Sequence, residues 1–195
     1  MASTENVLEI RDLVKDFPGV RAVDNVSFDI KRNTVHCLVG ENGAGKTTLI
    51  KILTGAYERT SGQTLLNGEV YEPNGPRDAR QQGVSTLYQE LNVVDTLTVE
   101  DNLTLGLEDT TFGFIRKTEK ISDMISVMHD IEPSIHPQQL VSTLSVAQKQ
   151  IVEIAKAAAS DSDVIIMDEP TAAITEGEIE RLFSIIQKLR EQNVT

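Results

Sequence analysis

Short apolar segments separated by turn residues occupy the first part of the chain. Residues 7–10 and 23–30 alternate apolar and polar side chains, and the segments 17–19 and 31–33 carry Pro, Gly, Asn and basic residues. This alternation is typical of antiparallel strands that bury one face. Residues 35–39 form a mainly apolar, partly β-branched run that stops at Gly40. That run predicts a strand buried on both faces.

Helical spacing begins directly after a glycine-rich loop. Leu49, Ile50 and Leu53 recur as on one face of a helix, and Gly55 is a typical residue to follow a helix end. Residues 64–68 then predict a short strand ending in an Asn-Gly turn, and residues 76–82 a brief helix.

The middle of the chain changes to helical character. Beyond a strand predicted at 84–88, residues 89–160 contain few β-branched runs. One apolar stripe has helical spacing: Ile121, Met124, Ile125 and Met128. Residues 164–167 are a second apolar strand, followed by a last amphipathic helix. We expect an α/β core built from residues 1–88 and 161–195, with an N-terminal antiparallel β subdomain and an inserted α-helical subdomain at 89–160.

Composition narrows the class of protein. The chain has 195 residues and a formal net charge of −12, which repels phosphate backbones, so nucleic acid is not an expected partner. A single cysteine, Cys37, forbids an internal disulfide and fits a reducing compartment. Its simplest interpretation is a small buried apolar side chain. No apolar stretch approaches the roughly 20 residues of a membrane span.

Residues 40–47 match the phosphate-loop pattern G-x-x-x-x-G-K-[ST] between a predicted strand and a helix. Glycines let the backbone approach a polyanion, so that successive N–H groups point at its phosphates. Lys46 adds a charge at the β and γ phosphates, and the Thr47 hydroxyl is a ligand for Mg²⁺. The pattern predicts a P-loop NTPase fold whose loop binds nucleotide phosphates together with Mg²⁺.

Two further motifs are ambiguous in isolation. Asp168-Glu169 follows an apolar strand, where Asp168 would hold Mg²⁺ and Glu169 would accept a proton from the attacking water, yet an acidic pair after a strand is usually the start of a solvated loop. Ser145 and Gln148 have the spacing of a capping box, which would only start a helix.

Taken together, these motifs resemble ABC transporter ATPase domains. The phosphate loop, Gln89 after a strand, Leu144-Ser145-x-x-Gln148 and the strand ending in Asp168-Glu169-Pro170 occur in that family's order. The amino-acid sequence at 38–46, 88–91 and 152–156 is similar to that of the ATPase subunits of bacterial sugar importers of the ribose and galactose kind. Those subunits usually carry two ATPase domains, so we expect the chain to be one ABC ATPase domain over residues 1–195, the N-terminal one, truncated at its C-terminus.

The resemblance implies roles for individual residues. Phe17 would lie against adenine, Thr48 would reach the α-phosphate, and Gln89 would contact Mg²⁺ or the attacking water. Ser145 and Gln148 would face the nucleotide of an opposed domain. The implied catalytic residues are Glu169, Gln89 and Lys46, and the implied Mg²⁺ ligands are Thr47, Gln89 and Asp168. The implied nucleotide-binding residues are Phe17, Gly40, Asn42, Gly43, Ala44, Gly45, Lys46, Thr47, Thr48, Ser145 and Gln148.

The resemblance also implies partners. A second ATPase domain, in tandem or in a homodimer, would pack head to tail, and transmembrane permease subunits would hold the chain at the cytoplasmic face of the membrane. A sugar-binding protein would act indirectly. An ABC-type ATP switch without transport is the alternative, which the net charge of −12 and the lack of a basic cluster disfavour.

The sequence departs from the family pattern at three points. Val146 and Ala147 stand where most members have two glycines, and Thr175 stands where many have an aspartate. The family's switch histidine would follow the last helix, and His36, His129 and His136 are elsewhere. We therefore expect the isolated chain to bind ATP and to hydrolyse it slowly.

Overall fold

The computed structural model describes residues 5–87, 92–105, 110–111, 114–115, 119–158, 162–168, 176–191 and 193–195. Its strands are β1 (Asn6–Phe17), β2 (Val20–Lys31), β3 (Ser61–Leu66), β4 (Glu69–Val70), β5 (Val84–Leu87), β6 (Thr110–Thr111), β7 (Phe114–Ile115) and β8 (Val164–Met167). Its helices are α1 (Lys46–Leu53), α2 (Pro76–Gln81), α3 (Val99–Thr104), α4 (Glu119–Ile131), α5 (Val146–Ala158) and α6 (Glu176–Glu191).

The chain forms two compact units. The first comprises Met1–Thr86, Ser162–Asp168 and Ile186–Thr195. The second comprises Leu87–Asp161 and Glu169–Ile185, so the division falls within α6.

An antiparallel sheet with strand order β2-β1-β3-β4 dominates the first unit. The long β1–β2 hairpin pairs Leu8 with Ile30 and Phe17 with Val20. Between β3 and β4, Asn67 and Gly68 both have positive φ, at 56° and 82°, as a two-residue hairpin turn requires. The predicted antiparallel N-terminal strands and the Asn-Gly turn are confirmed.

Helix α1 packs against this sheet. Its buried residues Leu49, Ile52 and Leu53 belong to the same apolar cluster as the inward-facing residues of β1, which are Val7, Leu8, Ile10 and Leu13. At the C-terminal end of the helix the buried Tyr71 hydroxyl donates to the Leu53 carbonyl over 2.6 Å. Burial raises the pKa of Tyr71, so the phenol stays a protonated donor. The sheet and Tyr71 therefore fix both the face and the end of α1.

The prediction of a buried strand at residues 35–39 is wrong. This segment adopts no regular secondary structure, and Val39 is 88% exposed. Cys37 is exposed as well, which contradicts its interpretation as a buried apolar residue. The physical reason is that residues 35–39 have no partner strand among the described residues. Strand β8 pairs with β5, and Thr195 exchanges backbone hydrogen bonds with Asp163 and Ile165 of the same region. Without a partner strand, the backbone N–H and C=O groups of an apolar run hydrogen-bond to water instead.

Strands β5 and β8 are neighbours in a small separate sheet. The Asp163 and Val164 amides both donate to the Gly83 carbonyl, over 2.8 and 3.1 Å. Nearby, the buried Ser85 and Ser162 hydroxyls lie 2.7 Å apart. These contacts fix the start of the strand that leads to Asp168.

The second unit has a helical core of its own. Met124 and Met128 of the predicted apolar stripe are 1% and 0% exposed, and Ile125 packs against the same cluster. Helices α3 and α5 supply most of the remaining buried residues of this cluster. Those on α3 are Val99 and Leu103, and those on α5 are Ile151, Val152 and Ala155. The strands β6 and β7 form a short hairpin that the sequence did not predict. Among the described residues, no helix is long and apolar enough to cross a bilayer.

Candidate functional site

The phosphate loop of the sequence lies between residues 35–39 and α1. Gly43 and Gly45 both have left-handed backbone, with φ of 85° and 90°, and the Ala44 amide donates to the Glu41 carbonyl over 3.1 Å. Gly43 lies inside this turn and Gly45 directly follows it, and both adopt backbone angles that residues with a Cβ disfavour. The two glycines therefore allow the bend of the loop.

Gly45 is also required by packing. A Cβ at this position would lie 2.2 Å from the Ala22 carbonyl oxygen, whereas a Cβ at Gly43 would meet nothing within 4 Å. The junction between the loop and α1 is thus pressed against the backbone of β2. This contact fixes where the helix begins.

The N-terminus of α1 has no side-chain cap. Gly45 is its N-cap residue, no side chain of the described residues bonds to the first turn, and no acidic residue lies in that turn. Because the Leu49 amide is the first to donate back, over 2.8 Å to Gly45, the amides of Lys46, Thr47 and Thr48 have no partner within the helix. Their dipoles favour an anion at this end.

The Lys46 ammonium lies on the rim of the loop. Its Nζ donates to the Gly40 carbonyl over 2.7 Å and to the Glu41 carbonyl over 2.9 Å. These acceptors are neutral, and charge-assisted bonds to phosphate oxygens are stronger. A polyphosphate in the loop would therefore draw the ammonium away from the two carbonyls.

Asp168 follows β8 in the first unit and is half-buried. With the exposed Thr47 hydroxyl it supplies oxygen donors, which are the ligands that Mg²⁺ prefers. Within the described residues no three His, Cys, Asp or Glu side chains cluster as a metal site. Gln89 and Glu169 lie outside the described residues.

Phe17, at the end of β1, is half-buried and pairs with Tyr57, whose ring centroid is 5.4 Å away. The sequence analysis did not single out Tyr57, because nothing in the local pattern links it to Phe17. Only the folded chain brings the two rings together.

Ser145 and Gln148 form a reciprocal capping box in the second unit. The Gln148 amide donates to Ser145 Oγ over 3.2 Å, and the Ser145 amide donates to Gln148 Oε1 over 3.0 Å. The capping interpretation is confirmed. The Ser145 hydroxyl proton is not used by this box and can donate to an anion.

Two side chains of α5 bind the segment that follows residues 88–91. The Asn92 amide donates to Glu153 Oε1 over 2.6 Å, and Lys149 Nζ pairs with Asp95 Oδ1 at 2.6 Å. Burial raises the pKa of Glu153, and the hydrogen bond from Asn92 opposes that shift. Sequence reasoning missed this link, because Asn92 and Glu153 lie far apart in the sequence.

Comparison with known proteins separates the family from other phosphate-loop proteins. The family model described as ABC transporter matches residues 23–172, which is most of the chain. The chain belongs to the ABC transporter family.

Curated ABC relatives match nearly the whole chain. It is 44% identical over 195 residues to the galactose/methyl galactoside import ATP-binding protein MglA of Clostridium perfringens, covering 100% of this chain and 38% of that protein. It is 43% identical over 194 residues to the ribose import ATP-binding protein RbsA 1 of Streptomyces avermitilis, covering 100% of this chain and 37% of the relative. The chain thus spans well under half the length of these relatives.

Solved ABC structures support the predicted fold class. The ADP conformation of MJ1267, an ATP-binding cassette of an ABC transporter, is similar with a TM-score of 0.86 and 25% identity. The similarity covers 98% of this chain and 80% of that one. The P-loop NTPase fold of the ABC type is confirmed.

The two left-handed glycines of the phosphate loop provide a matched pair of variants. Gly43→Ala is expected to lower the free energy of unfolding by about 1–2 kcal/mol, the cost of left-handed backbone for a residue with a Cβ. Gly45→Ala carries the same cost and in addition forces the loop away from the Ala22 carbonyl, so this variant should lower the free energy of unfolding clearly more than Gly43→Ala does. Urea denaturation of both variants measures this difference, and equal losses would contradict the packing contact.

Proposed function

We propose that the chain is the N-terminal ATP-binding and ATP-hydrolysing domain of an ABC-type carbohydrate importer. The observation that carries this proposal is the uncapped N-terminus of α1, held behind two left-handed glycines with Lys46 at its rim. A helix end built in this way favours a polyanion. The import names of the curated relatives support carbohydrate as the transported class.

In this proposal each residue of the phosphate site has a separate task. Backbone amides of residues 40–48 bind the phosphates of ATP, and Lys46 neutralises charge at the β and γ phosphates. Thr47, Gln89 and Asp168 would hold Mg²⁺, and a bound Mg²⁺ would supply positive charge beside the phosphates. Glu169 accepts a proton from the attacking water.

The remaining residues bind the rest of the nucleotide and the nucleotide held by a second ATPase domain. Phe17 stacks on the adenine ring, and Thr48 contacts the α-phosphate. Ser145 uses its oxygen to cap α5 and its proton to contact the γ-phosphate of a nucleotide held by a second ATPase domain. Gln148 keeps Ser145 in place through its side-chain oxygen.

A second ATPase domain, in tandem or in a homodimer, completes the site head to tail. Closure of the two domains drives transmembrane permease subunits, which hold the protein at the cytoplasmic face of the membrane, while a separate sugar-binding protein delivers the substrate. The share of the relatives that this chain covers supports a second domain, since more than half of their length lies outside the match. The isolated chain binds ATP and turns it over slowly, because phosphoryl transfer depends on a complete set of positioned charges.

ATP affinity tests the phosphate site directly. Calorimetry should give Mg²⁺-dependent binding of ATP, and Lys46→Ala should weaken it about 10- to 100-fold because a charge-assisted contact is lost. Lys31→Ala is the matched control, since it removes the same charge from a surface pair with Glu5. If the unaltered chain binds no ATP, or both lysine variants behave alike, the proposal is wrong.

Hydrolysis tests the role of Glu169. In the full-length protein with its partners, Glu169→Gln should leave ATP binding intact and lower turnover by about 10²–10⁴, the contribution of one general base. Steady-state phosphate release measures turnover and equilibrium titration measures binding. Unchanged turnover would remove Glu169 from the mechanism.

A further inference from the structure

An aromatic pair lies at the end of β1, outside the phosphate loop. Phe17 and Tyr57 meet edge to face, with ring centroids 5.4 Å apart and planes at 77°. This distance and angle lie within the range that aromatic pairs prefer. Both rings are half-buried, so neither is an interior core residue.

Two ammonium groups accompany the pair. Lys15 Nζ is 4.9 Å from the Phe17 centroid and 5.9 Å from the Tyr57 centroid, and Lys51 Nζ is 5.1 Å from the Tyr57 centroid. All three distances fall within the range of cation–π attraction. The Lys15 ammonium is itself fixed, because it donates to the Glu58 carbonyl over 2.6 Å.

The segment that carries Tyr57 is bound at both ends. The Tyr57 amide donates to the Lys51 carbonyl of α1 over 2.9 Å. On the other side, the Thr60 amide donates to the Val14 carbonyl over 2.8 Å, and the Asp16 amide donates to Thr60 Oγ1 over 2.9 Å. Tyr57 thus joins the helix that begins at the phosphate loop to the strand that ends at Phe17.

Through Tyr57, helix α1 connects the phosphate loop at its start to the Phe17 ring. Lys46 begins α1, and Tyr57 is hydrogen-bonded to the last turn of the same helix. Since Tyr57 packs on Phe17, the position of the Phe17 ring is set relative to the loop that holds phosphates. A ring ordered before binding costs less conformational entropy when a ligand stacks on it.

We propose that Tyr57 is a positioning residue for nucleotide binding. Its ring holds the Phe17 ring in the place where Phe17 stacks on the base of a nucleotide whose phosphates lie in loop 40–47. This inference rests on the proposed function. Tyr57 acts through its ring rather than through its hydroxyl, which makes no hydrogen bond to the described residues.

The test compares a ligand that has a base with one that has none. Dissociation constants of ATP and of inorganic tripolyphosphate, both with Mg²⁺, are measured for the unaltered chain, Tyr57→Ala and Tyr57→Phe. Tyr57→Ala should weaken ATP about 2- to 10-fold, the range of one aromatic contact, and leave tripolyphosphate unchanged. Tyr57→Phe keeps the ring and should bind both ligands like the unaltered chain.

A double-mutant cycle separates positioning from a purely structural role. Phe17→Ala should weaken ATP alone, and adding Tyr57→Ala to it should cause no further loss, because the ring that Tyr57 positions is gone. Tyr57→Leu keeps much of the apolar volume and replaces Tyr57→Ala in both experiments if that variant does not fold.

Distinct outcomes identify which statement is wrong. Equal weakening of ATP and tripolyphosphate, additive losses in the cycle, or unchanged ATP affinity in Tyr57→Ala would overturn the positioning role. Failure of the unaltered chain to bind either ligand would instead contradict the proposed function.

Discussion

The first-turn N–H groups of α1, which have no partner among the described residues, are the feature on which the site depends. Helix ends are normally satisfied by nearby side chains, as Thr98 does for α3 and the Ser145–Gln148 box does for α5. Helix α1 begins at a left-handed glycine with no such cap. With no cap from the described residues, its first-turn N–H groups can bind a ligand with many acceptor oxygens, such as a polyphosphate.

The surrounding fold keeps this helix end in a fixed position. Gly45 brings the start of α1 against the Ala22 carbonyl, the Tyr71 hydroxyl binds the last-turn carbonyl of Leu53, and Tyr57 links the helix to the end of β1. A rigid frame of this kind lowers the reorganisation required when charge develops in a transition state. The long antiparallel hairpin of β1 and β2 thus contributes to function through the placement of α1.

Features set by neighbouring residues were predictable, and features set by distant ones were not. The Asn67-Gly68 turn, α1 and its glycine loop, and the Ser145–Gln148 cap follow from local rules. The strand expected at 35–39 failed because a strand also needs a hydrogen-bonded partner, which composition does not reveal. Tyr57 and Glu153 were missed for the related reason that their contacts, with Phe17 and Asn92, join segments far apart in the sequence.

A crystal structure of the chain with a nonhydrolysable ATP analogue and Mg²⁺ tests the central claim most directly. The account predicts phosphate oxygens within hydrogen-bond distance of the Lys46, Thr47 and Thr48 amides, and Lys46 Nζ moved from the Gly40 and Glu41 carbonyls onto the phosphates. An analogue bound elsewhere, with Lys46 still on those two carbonyls, would contradict it.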